Sequence, residues 1–233
     1  MRLVCWNIQS ATEKRWDPLL RLEPDIAVLP ESARTHGRLA GSLLAPETSW
    51  QWVGASPGRG LAVAGFGIRS VPVPIEPTGR WAVAAKLAVA GTSPLLVLGI
   101  WSVPRQGRYA REVLRAIETH AEQLQGRTAA VMGDFNISGE GVEARGFHQV
   151  LDALSELGMV SAYHAFFDEK PGAESVPTYF HLRKRDRPFH IDYCFLSPDL
   201  AARVSDVRVG EYDEWVGAGH SDHVPLTVDL NTN

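Results

Sequence analysis

The chain has 233 residues, of which 45% are hydrophobic and 21% are charged, and its formal net charge is −4. This composition provides for a large buried core and excludes a disordered chain. The negative net charge excludes attraction of nucleic acid by overall charge, so such a substrate would need a local basic patch.

Short apolar runs typical of β-strands recur along the whole chain. In order they cover 2–8, 26–30, 50–54, 61–67, 81–89, 95–101, 128–133, 159–162, 178–180, 190–196, 204–209 and 224–228. Helices are predicted at 15–22, 109–125 and 144–157. The helix 109–125 is the clearest, because Val113, Ile117 and Leu124 share one face and Gly126 follows its end.

These elements predict an α/β sandwich. About a dozen strands exceed what one open sheet usually holds, whereas two packed sheets with helices on their outer faces would bury all the apolar runs. No Pro-rich or Ser-rich linker and no low-complexity tract interrupts the sequence, so a single domain over 1–233 is predicted.

Cysteines and apolar segments bear on the cellular compartment. Cys5 and Cys194 each lie in an apolar run and are predicted to be reduced and buried. The apolar start of the chain is too short for a signal peptide, and the run 81–101 is broken by Lys86 and by the turn at 91–94. A cytoplasmic protein without a membrane partner is expected.

Polar side chains interrupt or follow five of the predicted strands. The five clusters are Asn7 with Gln9, Glu31, Asp134 with Asn136, Asp192, and the run Ser221, Asp222 and His223. Taken singly, most of them also fit ordinary turn residues, exposed strand ends or a capping Asp. Asp192 fits less well, because a carboxylate among apolar neighbours is costly to bury without a partner. Five such clusters in one chain favour a shared pocket at one edge of the sheets.

The order of these segments resembles the endonuclease/exonuclease/phosphatase superfamily, which contains DNase I-like and exonuclease III-like enzymes. The resemblance covers nearly the whole chain. It is carried by Gly-Asp-Phe-Asn at 133–136, Ile-Asp-Tyr at 191–193, Ser-Asp-His-Val-Pro at 221–225 and Gly-Leu-Ala-Val-Ala at 60–64. It implies a DNase I-like fold, which is a four-layer α/β sandwich with two packed mixed β-sheets flanked by helices.

The resemblance also implies a metal-dependent hydrolysis of phosphoesters. Mg²⁺ or Mn²⁺ prefers oxygen ligands, and the resemblance makes Glu31 the principal ligand, with Asn7 beside it and Asp222 completing the site.

For the catalytic groups the resemblance implies four further roles. Asp134 would deprotonate the attacking water, and Asn136 would bind a phosphoryl oxygen. Asn7 is a candidate catalytic residue as well as a candidate metal ligand. His223 would donate to the phosphate in the transition state, while Asp192 would hold its ring and favour the imidazolium.

The chain departs from the superfamily at three places. Gln9 stands where many relatives have a carboxylate, and Pro30 stands where a Gln is frequent. The stretch 101–105 lacks the phosphate-contacting Tyr and Asn of the DNA-repair members, so Ser102 or Arg105 is expected to substitute for them. This difference argues against an abasic-site endonuclease in particular.

The segment 181–187 is basic and immediately precedes the strand that carries Asp192. It is either a solvated turn or a rim on which Arg183 and Arg185 contact phosphate, and Tyr179 is a candidate for stacking on a base. The acidic segment 210–219 borders the Asp222 cluster and would repel a long polyanion unless a metal or the basic rim compensates.

The sequence therefore predicts a nuclease or phosphodiesterase (an endonuclease or an exonuclease) that cleaves DNA or RNA as a monomer. A phosphatase or phosphodiesterase for a small-molecule or lipid head-group phosphoester is the alternative, since the net charge is negative. A catalytically silent binding module is less consistent with the sequence, because every proposed acid, base and metal position is occupied.

Overall fold

The computed structural model describes residues 1–10, 13–34, 48–71, 81–89, 93–103 and 108–231. Arg105, a predicted substrate contact, lies outside them.

Within these residues the strands are β1 (Arg2–Cys5), β2 (Ile26–Ser32), β3 (Ser49–Ser56), β4 (Arg59–Gly65), β5 (Ser70–Val71), β6 (Ala82–Leu87), β7 (Leu95–Trp101), β8 (Ala129–Asp134), β9 (Val160–Ser161), β10 (Tyr179–Phe180), β11 (Pro188–Phe189), β12 (Asp192–Leu196), β13 (Val204–Val209) and β14 (Leu226–Leu230). The α-helices are α1 (Glu13–Arg21), α2 (Tyr109–Leu124), α3 (Ala144–Glu156), α4 (Ala162–Phe167) and α5 (Pro198–Ala201).

The strands form two mixed sheets and a small hairpin. One sheet has the order β13-β14-β1-β2-β4-β3, and the other has the order β5-β6-β7-β8-β12-β9. The pairs β1–β2 and β7–β8 are parallel, and the other ladders between these strands are antiparallel. The hairpin consists of β10 and β11.

Apolar side chains from both sheets form the central core. Leu3 and Val28 of the first sheet belong to the same buried cluster as Val97 and Met132 of the second. Burying these faces against each other is the main favourable contribution to folding.

Helices cover the outer face of each sheet. The apolar faces of α2 and α3 pack on the second sheet, and α1 packs on the first through Trp16 and Leu19. The chain therefore has the four layers of the predicted α/β sandwich.

Each predicted strand overlaps a strand of the structure, and each predicted helix overlaps α1, α2 or α3. The structure adds the short elements β5, β11, α4 and α5. The predicted strand 159–162 extends too far, because helix α4 begins at Ala162. The Ser161 side chain accepts a hydrogen bond from the His164 backbone N–H and caps this helix.

Cys5 and Cys194 are buried free thiols, as predicted. Among the described residues, no helix is both long and apolar enough to cross a lipid bilayer.

Candidate active site

Five separate segments bring their polar side chains together at one edge of the two sheets. Asn7 follows β1, Glu31 lies near the end of β2, Asp134 ends β8, Asp192 begins β12 and His223 precedes β14. The Nδ2 group of Asn7 donates to Asp134 Oδ2 at 3.0 Å and lies 3.3 Å from Glu31 Oε1. The predicted convergence of these segments is therefore present in the structure.

A β-bulge directs Glu31 away from the regular strand. On the neighbouring β4, Leu61 pairs with Pro30 and Gly60 pairs with Ser32, so Glu31 is an extra residue between two pairs. Its φ of 58° is in the left-handed region. Bulges of this kind change the direction in which a side chain projects, and they recur next to active sites. The Glu31 side chain remains 17% exposed.

Asp134 is held rigidly at the end of a central strand. The preceding Gly133 has a φ of 151°, and a Cβ atom there would lie 1.8 Å from the Ile100 carbonyl oxygen, so a larger residue is excluded. Asp134 Oδ1 accepts the Asn136 backbone N–H at 2.9 Å, which leaves Oδ2 for Asn7. Asn136 has a φ of 54°, a left-handed backbone conformation that Asn tolerates, and the chain turns away from β8 at this residue.

Asp192 and His223 form a buried acid–imidazole pair. Asp192 Oδ2 lies 2.8 Å from His223 Nδ1, and neither side chain is more than 5% exposed. The opposite ring nitrogen, Nε2, lies 3.8 Å from Asp134 Oδ2. The imidazole is thus placed between two carboxylates.

Buried hydrogen bonds fix the position of His223. Ser221 Oγ donates to the Asn7 carbonyl at 2.6 Å and accepts the His223 backbone N–H at 3.2 Å. The Trp6 indole N–H donates to the His223 carbonyl at 3.1 Å. The ring of Tyr179 packs on the imidazole, with 4.6 Å between ring centroids.

Thr178 positions the other member of the pair. Its fully buried hydroxyl accepts the backbone N–H groups of Ile191 at 3.1 Å and Asp192 at 3.0 Å. The Thr178 hydroxyl thus satisfies two buried backbone donors at the start of β12.

The electrostatics of the site raise the pKa values of three groups. Burial is the main cause that raises the pKa of Asp134 to about 7, against the opposing effect of His223. Burial acts to lower the pKa of His223, but the charges of Asp192 and Asp134 and the hydrogen bond to Asp192 outweigh it and raise this pKa to about 9. Burial, followed by the charges of Asp222, Asp134 and Glu31, raises the pKa of Tyr179 to about 12.

Two sets of side chains contain cation ligands of the right chemistry. In the outer set, the partly exposed Glu31 offers a carboxylate and the buried Asn7 an amide. Both Glu31 and Asp222 act electrostatically on the neighbouring Tyr179. In the interior, ligand atoms of Asp134, Asp192 and His223 lie within 4.8 Å of one another. A His223 with a pKa of about 9 is an imidazolium at neutral pH and has no free lone pair, so the interior set is better suited to acid–base chemistry.

Arginines border the outer set of ligands. The Arg59 guanidinium lies 3.3 Å from Glu31 Oε1, and Arg183 donates to the side-chain oxygen of Gln9. Arg15 donates to the Ile8 carbonyl at 2.8 Å. Burial and the nearby charge of Arg183 lower the pKa of Arg15. The guanidinium groups of this border can attract an anion toward the site.

The remaining predicted site residues differ in their placement. Ser102 is fully buried and its hydroxyl donates to the Tyr109 carbonyl at 2.8 Å, so this hydrogen is not free for a phosphate. The Ser102 carbonyl accepts from Asn136 Nδ2 at 3.1 Å and thereby orients that amide. Arg185 pairs with Asp213 and lies over the Tyr212 ring, with 4.3 Å between its Cζ atom and the ring centroid.

Sequence reasoning gave no role to Thr178, Trp6, Arg15 or Arg59. The sequence signal for Arg59 was its position directly before the Gly-started strand at 60–64. No local pattern marks Thr178, because its function depends on which segment lies beside it in the fold.

Comparison with solved structures identifies the class of this fold. The chain has the fold of exonuclease III-like and AP endonuclease structures, which confirms the fold that the sequence resemblance implies. A 3'-5' exonuclease from Neisseria meningitidis superposes with a TM-score of 0.74 at 22% identity, with both chains covered completely.

Two further structures support the same class. An AP endonuclease from Archaeoglobus fulgidus gives a TM-score of 0.72 at 17% identity, again with full coverage of both chains. An endonuclease/exonuclease/phosphatase from Beutenbergia cavernae gives 0.65 at 20% identity, covering 100% of this chain and 72% of that one. No protein-family profile and no curated protein sequence matches the chain.

Proposed function

We propose that the chain is a divalent-metal-dependent phosphoester hydrolase that cleaves DNA or RNA. The observation that carries this proposal is the position of Asp134 Oδ2, which lies 3.8 Å from His223 Nε2 while His223 is held by Asp192 at 2.8 Å. This arrangement combines a carboxylate base with an imidazolium at one buried point, a combination that suits hydrolysis of a phosphoester.

Asp134 is the proposed general base. Its pKa of about 7 makes its carboxylate a stronger base than an ordinary Asp, while about half of it is ionised at pH 7. A group with a pKa close to the working pH is the most effective proton acceptor. Asn7 donates to the same carboxylate at 3.0 Å and orients it toward an attacking water.

His223 is the proposed donor to the phosphoryl group. Its raised pKa keeps it positively charged, so it stabilises the negative charge that develops on phosphoryl oxygens. Asp192 orients the ring and balances its charge. Asn136 uses one amide hydrogen on the Ser102 carbonyl and retains a second one for a phosphoryl oxygen.

The proposed cation site is the outer set, with Glu31 as principal ligand and Asn7 and Asp222 beside it. Carboxylate and amide oxygens suit Mg²⁺ or Mn²⁺. Asn7 now directs its nitrogen at Glu31, and its oxygen accepts the Gln9 backbone N–H at 3.0 Å, so its amide must turn to ligate. A bound cation would supply charge neutralisation at the phosphate and polarise the ester.

A polynucleotide substrate is supported by the arginines that border the site and by the neighbouring structures. One structure with the same fold is described as a 3' phosphatase from Neisseria bound to a product DNA hairpin. Arg183, which donates to Gln9, and Tyr179, whose ring packs on His223, are the proposed contacts to the polynucleotide.

A small phosphoester remains the second candidate substrate. The ion pair between Arg185 and Asp213 favours it, because this pair neutralises part of the basic segment 181–187 that a long polyanion would use.

The test is hydrolysis of single-stranded and double-stranded DNA, RNA and bis-p-nitrophenyl phosphate with Mg²⁺ or Mn²⁺. Activity should stop with EDTA and return when excess Mg²⁺ or Mn²⁺ is added. Asp134→Asn should lower kcat by about 100-fold or more. Asp152→Asn, the same change at an exposed position of α3, is the matched control and should keep full activity. Turnover that persists in EDTA, or an Asp134→Asn enzyme within tenfold of wild type, would refute the proposal.

The two substrate classes are separated by ionic strength. Binding of a polynucleotide should weaken steeply between 50 mM and 200 mM salt, because phosphate contacts release counterions. Hydrolysis of a small phosphoester should change little over the same range.

A further inference from the structure

Arg59 occupies an unusual place beside the proposed cation ligand. It begins β4, and its guanidinium nitrogen lies 3.3 Å from Glu31 Oε1. Its Cζ atom also lies 5.1 Å from the ring centroid of Trp101, which belongs to β7 of the other sheet and is 1% exposed. The guanidinium is therefore held on two sides, by a carboxylate and by a fixed aromatic face.

The oxygen that Arg59 contacts is the one that faces the site. Glu31 Oε1 also lies 3.3 Å from Asn7 Nδ2, and Asn7 in turn contacts Asp134. A cation at this oxygen and the Arg59 guanidinium would repel each other, since both are positive. Arg59 and a divalent cation thus compete for Glu31.

The contact with Arg59 is weak enough to be exchanged. The Arg59 side chain is 57% exposed, and ion pairs in such positions contribute little stability. A divalent cation carries twice the charge and interacts more strongly with the same carboxylate. Trp101 would keep the displaced guanidinium close to the site.

We infer that Arg59 is the resident counter-ion of Glu31, which a divalent cation displaces on binding, and that a phosphate group then takes over the freed guanidinium. This inference rests on the proposed function, because it requires Glu31 to be the cation ligand. Arg59 weakens cation binding in the free protein and couples cation binding to phosphate binding. The coupling follows because a bound phosphate offers Arg59 a new anionic partner.

The test is isothermal titration of the metal-free protein with Mn²⁺, without substrate. Arg59→Gln should bind Mn²⁺ about three- to tenfold more tightly than wild type, since both the competing ion pair and the repulsion are removed. Arg59→Lys keeps the charge and should bind close to wild type. Arg208→Gln is the matched control: this arginine is 54% exposed and pairs with Asp206 and Asp229, outside the site. It should leave Mn²⁺ affinity unchanged.

Glu31→Gln separates failure of this inference from failure of the proposed function. If Glu31→Gln lowers Mn²⁺ affinity at least tenfold and Arg59→Gln leaves it unchanged or weaker, the role of Arg59 is refuted while the cation site stands. If Glu31→Gln binds Mn²⁺ as tightly as wild type, both are refuted. Circular dichroism of each variant checks that the fold is retained. If Arg59→Gln does not fold, Arg59→Met, which also removes the charge, takes its place with the same expected tightening of Mn²⁺ binding.

Dimethyl phosphate tests the coupling. In wild type it should tighten Mn²⁺ binding by a larger factor than in Arg59→Gln, because only wild type has the freed guanidinium. Equal factors in the two proteins would overturn the phosphate half of the inference.

Discussion

The charge of Asp192 sets the protonation of His223, and its removal should make the imidazole neutral at physiological pH. Asp192→Asn is the appropriate change, because Asn has nearly the same shape and its amide oxygen still accepts the His223 Nδ1–H. The hydrogen bond of 2.8 Å can therefore persist while the charge is lost.

The size of the effect follows from the environment of the ring. The pKa of His223 is raised from 6.5 to about 9, which corresponds to about 3 kcal/mol at roughly 1.4 kcal/mol per pKa unit. Asp192 is the largest of the effects that raise it, and burial opposes them. Without this charge, burial is opposed only by the charges of Asp134 and Asp222, so we expect the pKa of His223 to fall by about 2 units.

NMR titration of the metal-free protein measures this pKa directly. His223→Gln assigns the His223 resonance, and Asp152→Asn controls for removal of a carboxylate elsewhere. The alkaline limb of the pH dependence of kcat/KM, near pH 9 in wild type, should move toward neutral pH in Asp192→Asn. The acid limb reports on Asp134 and is less diagnostic, because a bound cation also lowers that pKa.

The reasoning is refuted if His223 titrates near 6.5 in wild type, or if Asp192→Asn changes its pKa by less than about half a unit. Either result would mean that Asp192 does not control the charge of the ring.

Three further predictions follow. Thr178→Val should lower the free energy of unfolding by about 2 kcal/mol or more in a urea titration, because two buried N–H groups lose their acceptor, whereas Thr178→Ser should retain most of it. Arg183→Gln should weaken binding of single-stranded DNA, and reduce the salt dependence of that binding, more than Arg185→Gln does. The reason is that Arg183 contacts Gln9 in the site, whereas Arg185 pairs with Asp213. Equal losses of affinity in the two variants would contradict this reasoning. The pKa of His223 is higher in the folded than in the unfolded state, so protonated His223 stabilises the fold fully below about pH 6.5. This stabilisation is lost as the pH rises through about 9. The thermal unfolding temperature of Asp192→Asn should therefore depend less on pH over this window than that of wild type.

The fold could be predicted largely because strands and helices leave local signals. The strands 95–101 and 204–209 were predicted with the bounds that the structure shows, since a continuous or alternating apolar run identifies a strand without knowledge of its neighbours. The sequence does not reveal helix α4 because its six residues make fewer than two helical turns, too few for an apolar repeat to be recognised. Its cap at Ser161 is identified only from the folded backbone.

The residues of the candidate site likewise differ in whether a local sequence pattern predicts them. Asp134, Asp192 and His223 were predicted because polar residues beside buried strands stand out in the sequence. The ion pair of Arg59 with Glu31 was not, because it depends on two non-local features. One is the pairing of β2 with β4, and the other is the bulge that makes Glu31 an extra residue in that ladder. A shift of one residue in this register would direct Glu31 to another face.

Asn7 connects the proposed acid–base groups with the proposed cation ligands. The side-chain nitrogen of Asn7 donates to Glu31 and Asp134, and its side-chain oxygen accepts the Gln9 backbone N–H. The backbone carbonyl of Asn7 accepts from the Ser221 hydroxyl. Turning this amide toward a cation at Glu31 would remove the hydrogen bond that lowers the pKa of Asp134. The positive charge of the cation would act in the opposite direction, so binding of the cation and ionisation of the base are linked through a single side chain.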